Sequence, residues 1–143
     1  MTFSLHERLA ADTLLIDSLP LCELLLMNDA RFPWCILVPR RTCMRDIIDL
    51  APVDAEQLFR ESLALQRALR AAFAPDKLNV AAIGNLVPQL HVHHIARYTG
   101  DSEWPAPAWG RGTPLAYDPL VRTQRIVALR DRLADSLQGN DRR

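Results

Sequence analysis

The sequence has no excess of charge of either sign. Seventeen basic residues cancel seventeen acidic ones, so no global positive field draws the chain to nucleic acid or to an anionic membrane. Lysine is nearly missing: Lys77 stands alone and every other basic residue is arginine. Arginine suits bidentate phosphate contacts, but gene composition explains the bias equally well and it carries no functional weight. The cysteines, Cys22, Cys35 and Cys43, are odd in number and form no CxxC pair. That excludes a disulfide framework and a zinc ribbon, and reduced thiols are expected. No apolar run approaches the roughly 20 residues of a membrane span. Charges at Glu7 and Arg8 fall where a signal peptide would need its apolar region, so a soluble, cytoplasmic protein with no membrane and no nucleic-acid partner is expected. At 143 residues the chain is long enough to bury one ordinary core, and a single domain over residues 1–143 is the simplest reading.

What is present reads as strands, one long helix, more strands and a closing helix. Ser4-Leu5-His6-Glu7 has capping-box spacing and predicts a short helix to about Asp12. Thr13 to Ser18, Leu21 to Met27 and Trp34 to Val38 are apolar-rich runs separated by turn-forming residues, which predicts three antiparallel strands. A helix starts at Pro52-Val53-Asp54, its apolar face marked by Leu58, Phe59, Ser62, Leu65, Leu69 and Phe73, and ends before Pro75. Leu78 to Ile83 and Val87 to Tyr98 read as two further strands joined by the Gly84-Asn85 turn. The stretch from Gly100 to Pro114, rich in Pro, Gly and Trp, resists regular structure. It is expected to be an ordered loop, with Trp104 and Trp109 either walling a pocket or pinning the loop. Asp118-Pro119 caps a terminal helix whose face carries Ile126, Leu129, Leu133 and Leu137, and the tail from Gly139 to Arg143 is expected to fray. Turns this short leave no room for repeated crossover helices. The pattern is α+β, with an antiparallel sheet of about five strands, one long helix and a C-terminal helix.

The chemistry concentrates at Gln89-Leu90-His91-Val92-His93-His94, which holds three of the four histidines. On a strand, residues two apart share a face, so Gln89, His91 and His93 point one way and Leu90, Val92 and His94 the other. Two neighbouring imidazoles disfavour each other's charged form and drift toward neutrality. A neutral imidazole attacks phosphorus or carbon, passes a proton, or binds a metal. His94, beside Leu90 and Val92, reads as a core histidine satisfied by a backbone carbonyl.

The run Gly84-Asn85-Leu86-Val87-Pro88-Gln89-Leu90-His91-Val92-His93-His94-Ile95-Ala96-Arg97 resembles the signature of the histidine triad (HIT) family, a glycine turn leading into a strand with alternating histidines. Leu24 to Arg40 is similar to that family's hairpin. The likeness covers roughly residues 5–110, leaving a C-terminal loop and helix over 111–138. Gln89 stands where the first triad histidine is expected, and Asn85 where many members carry a phosphate-contacting glutamine. The resemblance implies a nucleotidyl hydrolase or transferase acting on the α-phosphate of a dinucleoside polyphosphate or nucleoside phosphoramidate. His91 would be the nucleophile and form a nucleotidyl-histidine, His93 would contact phosphate oxygen, and Asn28 would contact ribose. It also implies a homodimer and no cofactor.

The residue types suit that chemistry on their own account. A nucleophilic imidazole needs one nitrogen aimed at phosphorus and the other holding its proton against an acceptor. Charge on the equatorial oxygens can be met by His93, Asn85 and backbone amides without a metal. Gln89 can still hydrogen-bond but cannot titrate near neutrality. Arg97, at the end of the histidine strand, faces either phosphate or a carboxylate such as Asp101. Two rival readings stand beside the enzyme: a nucleotide-binding protein with little turnover, and a metal-binding sheet protein using the histidine pair.

Overall fold

Short apolar runs broken by turn residues become strands, and the long amphipathic run becomes a helix laid across them. The computed structural model describes residues 2–139. In chain order these are helix α1 (Glu7–Asp12), strands β1 (Thr13–Ser18), β2 (Cys22–Met27) and β3 (Trp34–Pro39), helix α2 (Pro52–Phe73), strands β4 (Lys77–Ala81) and β5 (Val92–Arg97), and helix α3 (Pro119–Gly139), with one 3-10 turn at Ile47–Asp49. The five strands form one sheet in the order β1-β2-β3-β5-β4, every pair antiparallel. The architecture is therefore the expected α+β one. The tail beyond Gly139 lies outside the described residues, while α3 runs through Gly139 itself. No helix among the described residues is long and apolar enough to cross a membrane.

The central strands are buried on both faces, so they read as continuous apolar runs rather than alternating ones. One face, with Leu24, Leu26, Leu37 and Val92, packs against Leu58, Leu65 and Leu69 of α2 and Leu129 and Leu133 of α3. Each fully buried leucine stabilises this layer by roughly 1.5–3 kcal/mol relative to exposure. The other face, with Leu25, Trp34, Ile36 and Ile95, packs against Leu9 of α1, Phe32 and Ala108. This second layer is thinner, and the cleft opens there.

Three local expectations change. The cap of α1 is His6, whose Nδ1 accepts the Arg8 N–H at 3.1 Å; Ser4 instead gives its carbonyl to Gln89. On α2, Phe59 is 65% exposed while Glu61 is buried. The Glu61 carboxylate accepts the backbone N–H groups of Leu21 and Cys22 at 3.0 and 2.9 Å. A scan of apolar residues alone passes over a buried acid that satisfies the start of β2. Finally, β5 begins at Val92 and ends at Arg97, shorter than the predicted Val87 to Tyr98. Pro88 has no N–H for a ladder, and the Leu90 N–H turns instead to the Met44 carbonyl at 3.0 Å. Gln89 and His91 thus lie on the lead-in to the strand.

Candidate active site

The lead-in keeps the alternation of the strand it enters. His91 and His93 share a face, their ring centroids 4.9 Å apart and tilted by 69°, and each is 6% exposed. They border a cleft of about 470 Å³ together with Arg8, Trp34, Asn85 and Trp109. Gly84 at its rim adopts φ +67°, a left-handed conformation that glycine takes without strain. A second recess of about 590 Å³ holds Asn28 and shares Arg8, Met27, Trp34 and Gly110 with the cleft. The two join into one groove, with histidines at one end and Asn28 toward the other.

One hydrogen-bond partner fixes each ring. His91 Nδ1 lies 2.7 Å from the Gln89 carbonyl. A carbonyl only accepts, so Nδ1 carries a proton, and in the neutral ring the lone pair sits on Nε2. His93 is the reverse: its Nδ1 accepts the indole N–H of Trp34 at 3.0 Å, which leaves the proton on Nε2. Burial pushes the pKa of His93 down to about 3, and His91 and His94 push the same way. On the opposite face, His94 Nδ1 donates to the Val92 carbonyl at 3.1 Å, and its Nε2 accepts from Ser62 Oγ at 2.7 Å. Gln66 in turn donates to Ser62 Oγ at 3.1 Å. Burial lowers the His94 pKa to about 4. His94 is a core residue whose polar atoms are satisfied.

Gln89 takes no part in the cleft. Its Oε1 accepts the His6 N–H at 2.8 Å and its Nε2 donates to the Ser4 carbonyl at 2.9 Å, so this side chain ties the N-terminal segment to the histidine lead-in. Asn28 Oδ1 accepts the Tyr117 N–H at 3.0 Å, which leaves its amide nitrogen to donate into the groove. Asn85 is an exposed turn residue on the cleft rim.

Arg97 stands apart from the others. It is 1% exposed, forks onto Asp101 at 2.8 and 2.9 Å, donates to Asn79 Oδ1, and lies over the rings of Phe32 and Trp104. Of the two partners expected for it, the carboxylate is the one it holds. The guanidinium in turn holds the Asp101 carboxyl down at about 2. The two tryptophans also part company: Trp104 covers Arg97, while Trp109 stands 5.5 Å from His93.

Sequence reasoning passed over Trp34 as a donor and Arg8 as a lining cation. The period of β3 gives the face of Trp34, but only the register, with Ile36 opposite His93 and Trp34 opposite Ile95, brings its indole to the His93 ring. Arg8 reaches the cleft from a helix remote in sequence and leaves no local signal. Among the described residues, no group of three or more His, Cys, Asp or Glu side chains is placed to hold a metal ion.

A five-stranded antiparallel sheet with a pair of imidazoles at a cleft on its thinner face is the arrangement of the histidine triad fold. The HIT domain family model matches residues 8–100, and the chain belongs to that family. It is similar along nearly its whole length to solved histidine triad proteins. That of Bradyrhizobium japonicum is 50% identical over 93% of this chain and 99% of its own, with a TM-score of 0.92. That of Marinobacter aquaeolei is 46% identical over 94% and 98%, TM-score 0.91, and that of Sinorhizobium meliloti 40% identical over 92% and 97%, TM-score 0.90. No curated protein matches the chain.

Proposed function

We propose that the protein binds a nucleotide in this groove and is a hydrolase or transferase acting on the α-phosphate of a dinucleoside polyphosphate or nucleoside phosphoramidate. The observation that carries the reading is the 2.7 Å bond from His91 Nδ1 to the Gln89 carbonyl, because in the neutral ring it places the lone pair on Nε2, on a residue that lines the cleft. In the first step His91 Nε2 forms a bond to phosphorus and the bond to the leaving group breaks, its electron pair going with the leaving group. In the second, water attacks the adduct, the P–N pair returns to Nε2, and a water proton is released. The His93 Nε2–H, the Asn85 amide and the Arg8 guanidinium line the space where phosphoryl oxygens would gather negative charge. Asn28 at the far end of the groove is the ribose contact in this reading. Among the described residues the β4 edge carries no further strand, which leaves an edge open to pairing and suits the homodimer expected for a cytoplasmic protein of this family.

A second reading is favoured by Gln89. Both ends of its amide are occupied by Ser4 and His6, so the side chain at the first triad position adds nothing to the chemistry beyond what its backbone carbonyl does, and a nucleotide could be held with little turnover. One experiment separates the two. A labelled dinucleoside polyphosphate is mixed with the full chain, quenched rapidly without acid, and the intact protein is weighed. A nucleotidyl adduct that vanishes in His91→Ala supports the enzyme, binding with neither adduct nor product supports the second reading, and hydrolysis unchanged in His91→Ala rejects His91 as nucleophile.

A further inference from the structure

We propose that Trp34 is a positioning residue, which holds His93 as its Nε2–H tautomer and so makes that ring a hydrogen-bond donor to the phosphoryl group rather than an acid. The role given to His93 rests on the function proposed above, but the tautomer does not.

An indole has one N–H and no acceptor. With that N–H 3.0 Å from His93 Nδ1, Nδ1 must present its lone pair, and the neutral ring carries its proton on Nε2. A second proton, on Nδ1, would set two N–H groups face to face and break the bond. Trp34 is itself fixed: it is buried on a central strand, and Trp109 stands edge-on against both it and His93, at 6.2 and 5.5 Å. The titratable or charged groups around His93 are His91, at 4.9 Å between ring centroids, His94 on the far face of the strand, and Arg8 across the cleft. Among the described residues, no carboxylate lines that cleft to draw a proton onto the ring. Burial works in the same direction.

The consequence concerns the leaving group. Gln89 cannot titrate, and His93 is held neutral, so no triad side chain hands over a proton. When His91 Nε2 bonds to the α-phosphorus of a phosphoanhydride, the P–O pair departs on a phosphate oxygen whose conjugate acid has a pKa of roughly 6, and no proton is required. An alkyl amine leaving from a phosphoramidate has a conjugate acid near roughly 10 and must be protonated as the P–N bond breaks. General acids contribute about 10²-fold or more to such steps. The wild type should therefore prefer a dinucleoside polyphosphate over a nucleoside alkylphosphoramidate by about that ratio in kcat/KM.

The test is ¹⁵N NMR of the histidine ring nitrogens in the full chain without nucleotide, with His93 assigned by loss of its signals in His93→Gln. Expected is an unprotonated Nδ1 and protonated Nε2 on His93, unchanged from pH 8 to pH 5. In Trp34→Phe, which keeps an aromatic ring but no donor, a mixture of tautomers and a titration at least one pH unit higher are expected. Its kcat on the dinucleoside polyphosphate should fall about tenfold with little change in KM, the loss of one hydrogen bond. A protonated Nδ1 in the wild type overturns the proposal even if the variant does not fold, and so do unchanged tautomers in a folded Trp34→Phe. If the tautomer is as expected and no nucleotidyl adduct ever forms, the proposed function fails and the Trp34 contact stands.

Discussion

The two faces of β5 hold adjacent histidines that are both buried and oppositely wired. His93, on the cleft face, keeps its proton on Nε2 because an indole donates to Nδ1; His94, on the helix face, keeps its proton on Nδ1 because a carbonyl accepts from it. Burial makes both neutral. What differs is where the remaining N–H points: His93 offers it to an open cleft, whereas both nitrogens of His94 are used up within the protein. Charge state therefore does not separate a histidine that faces the cleft from one sealed in the core. The second partner of the ring does.

The largest effects should come from exchanging roles across that strand. His91→Ala should lower turnover by at least about 10⁴-fold, as expected for loss of a nucleophile, while unfolding in urea shifts little. His94→Ala should do the reverse, costing about 2–4 kcal/mol from the cavity and the stranded Ser62–Gln66 pair, with an adduct still formed by whatever remains folded. A folded His94→Ala that is catalytically dead would erase the distinction between the faces.

Farther along the cleft face, the contrast is between imidazoles that keep one nitrogen open and a closed ion pair. Asp101→Asn leaves the Arg97 guanidinium buried without its counter-charge, and chemical denaturation should register a loss of about 3–5 kcal/mol. A change below about 1 kcal/mol would mean the pair is loosely held and Arg97 is free to serve the groove.

Acid should act next. The pKa of His94 falls from 6.5 to about 4 on folding, so between these values the unfolded chain binds the proton that the folded one refuses. Its contribution to stability is complete above pH 6.5 and declines as pH falls toward 4. That is about 3 kcal/mol for this ring, with His93 losing more in the same direction as pH approaches 3. Urea midpoints at pH 7 and pH 4.5 measure it, and stability that stays level between them would contradict neutral burial.

The smallest effect belongs to Gln89→Ala. Two hydrogen bonds to Ser4 and His6 should cost about 1–2 kcal/mol and loosen the N-terminal segment to limited proteolysis, with less change in turnover than any substitution at His93. A collapse of turnover in a stable Gln89→Ala would instead give this glutamine a place in the chemistry.

Much of this arrangement was legible before folding, and the missing parts have physical reasons. The alternation around His91 and His93 placed them together on one face, because a strand has period two whatever packs on it. The same rule read Val87 as the start of β5, since periodicity cannot see that Pro88 gives no ladder bond. Phe59 and Glu61 exchanged places for a related reason: an apolar count cannot foresee that the Leu21 and Cys22 amides would need a buried carboxylate. Asn28 was named only through the family resemblance, and its bond to Tyr117 joins residues far apart along the chain.

The sequence by itself determined the elements, the faces of the strands and the clustering of the imidazoles, since these follow from local periodicity and steric preference. The tertiary structure alone decided which nitrogen of each ring carries a proton, which cation lines the cleft and which is locked away, and what Gln89 holds. Those outcomes depend on partners supplied by other strands and loops: Trp34 from β3, Ser62 from α2, Asp101 from the loop after β5, and Ser4 and His6 from the chain's beginning. A hydrogen bond is made only where register and packing bring its two ends together.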